Sequence, residues 1–297
     1  MTSRALRIAT RGSPLALVQA ERVAARLGAD AEIVVIKTEG DRNVTESLAT
    51  LGGRGVFTNE VQAAVLDGRA DIAVHSAKDL PASAELQVDG LVLACVPERA
   101  DSRDCLIGST LAGLREGATV GTGSARREAL LRYLRPDLNF VGLRGNIATR
   151  LSRVGEPVGS GDKTRVDAIV GAVAALTRLD LADRIDEAFA PDTFVPQVGQ
   201  GAIAVEARSG DTITLDRLAA VDDEDAHRAV IAERAFLATL GGGCEAPVGA
   251  HALFEHGVLR LVGFLVTAAG PQWARESGTN PEALGQSVAK ALAGDGA

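Results

Sequence analysis

Apolar residues in this chain fall into two patterns. Short unbroken runs at 6–10, 33–36, 71–75, 91–96, 168–170 and 203–206 read as buried strands. Between several of them lie stretches in which apolar residues recur every three or four positions, at 14–27, 58–66 and from 125 onward, and these predict helices. Local signals sharpen the boundaries. Ser13 followed by Pro14 is a cap with proline at the first helical position, and Asn280 followed by Pro281 repeats the device for a last helix. Ser124 is placed to cap a helix that begins at Ala125. The acids at 222–225 sit where a helix dipole favours them, and that helix should run to about residue 240 and stop in the glycines at 241–243. A strand is expected at 258–266.

Strands alternating with helices predict an α/β fold with parallel sheets. The polar stretch 38–57 is too long for an ordinary connection and reads as a lid. A charged segment at 97–104 reads as a crossing between units, and Pro191 and Pro196 mark a return crossing. The run at 203–206 is placed to rejoin the first unit. The expected division is therefore 1–98 with 200–219, then 103–195, then a small α+β unit at 222–297.

Composition narrows the function. Hydrophobic residues make up 46% of the 297-residue chain and aromatic ones only 3%, so the core is aliphatic. Nothing approaches the ~18 consecutive apolar residues of a membrane span, and the first ten residues carry no apolar signal segment. Cys95, Cys105 and Cys244 are widely scattered, which argues against a disulfide framework or a structural zinc site and fits a reducing cytoplasm. A net charge of −8 argues against general nucleic-acid binding. No metal site is indicated. The Gly121-x-Gly123 pair lacks the third glycine of a dinucleotide fingerprint, so a nucleotide cofactor is not indicated either.

Against that acidic average, residues 119–153 hold arginines at 126, 127, 132, 135, 144, 150 and 153 but only Glu128 and Asp137 as acids. Lysine occurs only at 37, 78, 163 and 290, so the cations are nearly all guanidinium forks, which bind carboxylate or phosphate in pairs of hydrogen bonds. Arg126 and Arg127 fall in the first turn of a helix, where a cation is disfavoured and an anion welcome. Their placement makes sense if something negative is bound there. Arg11 and Arg144 occupy similar strand-to-helix turns, which points to an anion-lined cleft at the carboxyl ends of parallel strands. Arg150 belongs to the same candidate set, whereas Arg132, Arg135 and Arg153 read as a solvated face.

Two further residues could do chemistry. Pro81 keeps Leu80 out of a helix, so Lys78 and Asp79 should lie in a non-helical turn at a strand end. A carboxylate among cations stays ionised and could stabilise a developing cation or pass a proton to a leaving amine; the alternative is a surface Lys–Asp pair. His75 ends an apolar strand and reads as packing. Cys244 follows three glycines, which would let a backbone approach a ligand and leave the thiol accessible; the alternative is a free cysteine in a turn.

At these residues the chain resembles the porphobilinogen deaminase (hydroxymethylbilane synthase) family. The likeness runs through Arg-Ile-Ala-Thr-Arg11-Gly-Ser13-Pro, Gly-Gly-Arg54-Gly-Val-Phe57, Val-His75-Ser76-Ala-Lys78-Asp79-Leu-Pro, Val-Gly-Thr122-Gly-Ser124-Ala-Arg126-Arg127, Leu-Arg144-Gly145-Asn-Ile-Ala-Thr-Arg150, Val-Gly-Gln200-Gly and Gly-Gly-Cys244-Glu-Ala-Pro. The resemblance implies an α/β fold of two periplasmic-binding-protein-like lobes with a central cleft, plus a small C-terminal α+β domain. It implies a dipyrromethane cofactor held by a thioether to Cys244. It implies condensation of four porphobilinogen molecules head to tail, with loss of ammonia and release of hydroxymethylbilane by hydrolysis, for tetrapyrrole synthesis. On it, Asp79 is catalytic and assists loss of ammonia. Ser76, Lys78, Thr122, Ser124, Arg126, Arg127, Arg144 and Gly145 contact the cofactor. Arg11, Ser13, Phe57, Arg144, Arg150, Arg178 and Gln200 contact substrate. A cytoplasmic monomer that hands its product to the next enzyme of its pathway is expected, with neither membrane nor nucleic acid as partner. Arg54 stands where many relatives have lysine, Gly123 where many have serine, and the 155–166 loop looks long. The rival reading is a non-catalytic carboxylate-binding protein of the same two-lobed fold.

Overall fold

A computed structural model of the chain describes residues 5–28, 31–38, 58–83, 85, 87–155, 165–241 and 247–294. The first stretch forms β1 (Leu6–Arg11), α1 (Pro14–Leu27), β2 (Ala31–Ile36), α2 (Asn59–Leu66), β3 (Ile72–Ser76) and β4 (Leu91–Cys95). After a crossing come β5 (Asp104–Ile107), β6 (Thr119–Gly121), α3 (Ala125–Leu134), β7 (Asn139–Val141), α4 (Ile147–Leu151), β8 (Ala168–Ala172), α5 (Val173–Arg178) and β9 (Glu187–Ala188). The return brings β10 (Ile203–Arg208) and α6 (Thr212–Ala219). The remainder is α7 (Glu224–Thr239), β11 (Val248–Glu255), β12 (Val258–Thr267), β13 (Gly270–Gly278) and α8 (Pro281–Ala293).

Two of the three sheets share one plan. The first runs β2-β1-β3-β10-β4 and the second β7-β6-β8-β5-β9. In each, three parallel strands are followed by one antiparallel strand that arrives from a crossing: β10 against β3, and β5 against β8. The run at 203–206 thus rejoins the first sheet. These are two α/β lobes of like topology, with a separate C-terminal α+β unit in which α7 and α8 cover the antiparallel meander β11-β12-β13.

The expected helix starts are where the caps put them. The Ser13 hydroxyl accepts from Ala16 N at 3.4 Å, Asp223 from Ala226 N at 2.9 Å and Asn280 from Ala283 N at 2.8 Å. The 78–79 turn differs from expectation. Ala77–Asp79 form one 3₁₀ turn, while Leu80 is extended as Pro81 requires. The strands β5, β9, β11 and β13 and helix α6 were not expected from the apolar pattern.

The C-terminal unit braces both lobes and the crossings. Val262, Phe264 and Trp273 pack into the apolar core of the second lobe beside Leu130 and Leu131. Ala226 and Val230 of α7 pack on Ala77, Val96 and Ala202. Glu233 of α7 is fully buried and accepts from Arg99 Nη1 at 2.6 Å and Nη2 at 3.1 Å, from Gly199 N at 2.7 Å and from Ala252 N at 2.8 Å. One carboxylate thus ties the outgoing crossing, the return crossing and β11 together.

Candidate functional site

Each predicted strand-to-helix turn is present and capped from within. β1 ends at Arg11 and hands over to Ser13. After β6, Thr122 Oγ1 accepts from Ser124 N at 3.2 Å and Ser124 Oγ from Arg127 N at 3.5 Å. After β7, Asn146 Oδ1 accepts from Thr149 N at 2.9 Å. Gly145 carries a φ of +104°, and a Cβ there would meet Thr149 Cγ2 at 2.9 Å, so the turn requires glycine.

In the first lobe, a small pocket of about 60 Å³ is lined by Arg11, Ser13, Thr58, His75, Ser76 and Asp79 among others. The Ser76 hydroxyl lies 2.9 Å from Nε2 and 3.0 Å from Oε1 of buried Gln19. His75 is buried with Nε2 3.1 Å from Glu206, whose carboxylate also accepts from Gln62 at 2.9 and 3.1 Å. Lys78, next to Asp79, has its ammonium pushed down to about 8. Burial is the main cause and Asp79 opposes it, while Arg127 and Arg126 lower it further.

The return crossing joins this turn to the second lobe. Gly199 has a φ of +71°, and a Cβ on it would lie 2.9 Å from the carbonyl carbon of Ala77 and 3.0 Å from Lys78 N. That close approach sets Gln200 between the lobes. Its Nε2 donates to Ser102 O at 2.8 Å and to Asp104 Oδ1 at 3.0 Å.

Asp104 changes the reading of the arginine pair. It is fully buried at the start of β5. Its Oδ2 lies 2.7 Å from Arg126 Nη1, and its Oδ1 accepts from Arg127 Nε at 2.9 Å and Nη2 at 2.7 Å. The two cations hold its carboxyl down at about 2 against the opposing effect of burial. Arg126 Nη1 also donates to Val195 O at 2.6 Å, and Arg127 Nη1 to Val170 O at 3.1 Å. Gly249 of β11 lies against Arg126, where a Cβ would come within 2.9 Å of Cδ. Both arginines are buried, so the anion that offsets the unfavourable helix position is supplied by the protein. It comes from more than twenty residues upstream, which is why the 119–153 stretch looked unbalanced by itself.

The other cations divide into two groups. Arg150 donates Nε to Gly145 O at 2.8 Å, and burial, then Arg127, lowers its pKa. Arg178 is buried and donates Nη2 to Gly201 O at 2.7 Å. Its Nε has no partner among the described residues, and burial, then Arg22, pushes it down to about 10. Arg11 is half-buried in the first-lobe pocket, and Arg144 is exposed. By contrast Arg132 is exposed and pairs with Glu128 at 2.9 Å, as a solvated face should, whereas Arg135 is half-buried, pairs with Asp137 at 2.7 Å and donates to Leu111 O at 2.7 Å and Leu114 O at 3.3 Å. The electrostatic coupling of Lys78 to Arg126, Arg127 and Asp104, and of Arg150 to Arg127, brings these groups together where the crossings meet. Phe57, Arg54, Cys244, the 39–57 part of the expected lid and residues 156–164 lie outside the described residues.

Asp104, Glu206, Gln62 and Glu233 escaped sequence reasoning. Each is a polar residue inside an apolar strand or helix, which is the one signal that pointed to them.

Fold and site together define a two-lobed α/β protein with a cluster of cations at the lobe crossings. The family model described as "Porphobilinogen deaminase, dipyromethane cofactor binding domain" matches residues 6–216, and "Porphobilinogen deaminase, C-terminal domain" matches 227–294. The chain is 43% identical to porphobilinogen deaminase of Syntrophotalea carbinolica over all of this chain and 95% of that one. It is 44% identical to that of Deinococcus deserti over 98% and 95%. It is 49% identical to that of Micrococcus luteus over 82% and 72%. Among solved structures, an arginine-specific periplasmic binding protein from Salmonella typhimurium aligns at 14% identity with a TM-score of 0.34, over 74% of this chain and 92% of that one. The chain belongs to the porphobilinogen deaminase family. That membership sets aside the non-catalytic carboxylate-binding alternative.

Proposed function

We propose that the chain is a transferase that condenses four porphobilinogen molecules head to tail, loses an ammonia at each join and frees hydroxymethylbilane by hydrolysis. The observation that carries this reading is the gathering of Lys78, Arg126, Arg127 and Arg150 where the crossings meet, with Asp79 on the same turn as Lys78. Each porphobilinogen brings an acetate and a propionate, so a growing chain accumulates carboxylates that only a cation-rich cleft can hold in place. A dipyrromethane group has four carboxylates of its own, and the donor set fits it. Ser76, Lys78, Thr122, Ser124, Arg126, Arg127, Arg144 and Gly145 would hold it, with Cys244 as its covalent anchor. When bound, it supplies the pyrrole carbon that each incoming unit extends. Arg11, Ser13, Phe57, Arg150, Arg178 and Gln200 would orient substrate carboxylates, and Arg178 still has Nε to offer.

Asp79 is the proposed acid. From the first-lobe pocket its carboxyl group, in the protonated form, would give a proton to the departing amine, and the carboxylate left behind would then stabilise positive charge on the reacting pyrrole. Among the described residues no helix is long and apolar enough to cross a membrane. A cytoplasmic monomer that delivers its product to a following enzyme, with units at 1–98 plus 200–219, 103–195 and 222–297, completes the reading.

The test is an intact mass of freshly purified protein, peptide mapping around Cys244, and turnover of porphobilinogen. A two-pyrrole adduct on Cys244 with release of ammonia is expected. A bare thiol that porphobilinogen cannot load, with no turnover, would overturn the proposal.

A further inference from the structure

The buried carboxylate of Asp104 has no part in the residue roles above, yet it holds more of the arginine pair's hydrogen-bonding capacity than any other group. It contacts Arg126 Nη1, Arg127 Nε and Nη2, and Gln200 Nε2, all between 2.7 and 3.0 Å. Two guanidinium groups that share one carboxylate would repel each other without it, and neither could be left buried and unpaired without a large desolvation cost. With it, the trio carries a single net positive charge. Val170 O and Val195 O, each accepting from one guanidinium, fix the direction in which both forks face. Lys78 and Arg150 lie within electrostatic reach of the trio, so any anion drawn to the cleft is drawn partly by the charge that Asp104 leaves over.

We propose that Asp104 is a positioning residue that acts as a built-in rival carboxylate: it aims Arg126 and Arg127 and cancels one of their two charges, limiting how tightly the cleft grips carboxylates. The need follows from the proposed reaction, on which this inference rests for its purpose. A chain that lengthens unit by unit must shift its carboxylates through the same cations, and a cleft with one more uncompensated charge would hold each position too firmly. The grip itself can be measured with any small dicarboxylate, whether or not porphobilinogen turns over.

The experiment compares the full-length protein with Asp104→Asn and Asp104→Glu, using succinate as the probe in calorimetric titration at fixed ionic strength. Asparagine keeps the shape and removes the charge. One added unit charge about 6 Å from a bound carboxylate, at an effective dielectric near ~40, changes affinity about tenfold. Asp104→Asn should therefore bind succinate about tenfold more tightly, and its porphobilinogen kcat and KM should fall together. Asp104→Glu keeps the charge and should bind succinate within about twofold of the unchanged protein, by the same Coulomb argument. Equal or weaker succinate binding by Asp104→Asn, or tightening by Asp104→Glu, overturns the proposal. If Asp104→Asn is too unstable to titrate, its melting in formate decides. A rise in Tm well beyond that of the unchanged protein means an external carboxylate replaces the missing one, and no excess rise overturns the idea. A chain that fails to turn over porphobilinogen but shows the succinate pattern would sink the proposed reaction and leave the role of Asp104 standing.

Discussion

Replacing Glu233 with glutamine changes one atom at the point where three segments meet. Its two oxygens take four donors, so neither can become an amide without conflict. If the new NH₂ replaces Oε1, it faces Arg99 Nη1 and Ala252 N. If it replaces Oε2, it faces Arg99 Nη2 and Gly199 N. Either orientation strands two donors and leaves the Arg99 guanidinium, whose side chain is only 11% exposed, without its counter-charge. Breaking a buried ion pair from one side costs about 3–5 kcal/mol. That is a large part of the ~5–15 kcal/mol that holds a folded domain together. Urea unfolding of Glu233→Gln, followed by circular dichroism, should show a loss in that range. A double variant with Arg99→Met should recover part of it, because the stranded charge is then gone. A loss below about 1 kcal/mol, the scale of an ordinary single hydrogen bond, would refute the reasoning.

Other consequences can be checked alongside. Asp79→Asn should lower turnover by about a hundredfold or more, as loss of a general acid does, while the mass of the Cys244 peptide is unaltered. Because burial pulls the Lys78 ammonium down to about 8, its charge is lost as pH rises through that value. Succinate binding should weaken above about pH 8, and Lys78→Arg should flatten that dependence; a pH-independent affinity in the unchanged protein would contradict it. Between pH 8 and the ordinary lysine value of 10.5 the unfolded chain binds this proton and the folded one does not, so this residue's contribution to stability rises with pH across that window. Gly199→Ala places a methyl on a backbone with φ of +71° and against Ala77. It should cost about 2–4 kcal/mol from the left-handed conformation and crowding together, measurable as a lower urea midpoint, and should raise KM by moving Lys78.

Much of the architecture was readable locally because its signals are local. Ser13 with Pro14, Ser124 before Arg126, and Asn280 with Pro281 announce helix starts through bonds that span three residues. The turns bearing Arg11, Arg126 and Arg144 were legible for the same reason. What escaped depends on partners far along the chain. β5 opens with Asp104, a charge that an apolar-run criterion rejects, and only Arg126, Arg127 and Gln200 make its burial tolerable. β13 is an edge strand with mostly polar side chains, and β11 buries alanines and a glycine instead of large residues, so neither stands out. The two arginines were singled out as an anion site, and the anion they meet in the structure is Asp104 of the protein itself.

The position of β10 has a consequence for how the chain matures. It is the strand between β3 and β4, yet it is made more than a hundred residues after them. While the ribosome is still producing the second lobe, the first has a gap in the middle of its sheet and two unpaired strand edges facing one another. The second lobe has every strand from β5 to β9 in one uninterrupted stretch and can close its sheet on emergence. The lobe that is synthesised first is therefore the one completed last, and the strand that closes its sheet is followed by α6 and then by the C-terminal unit that braces both crossings. Premature termination anywhere before β10 would release a chain with one finished lobe and one open edge, a form prone to pairing with its own kind.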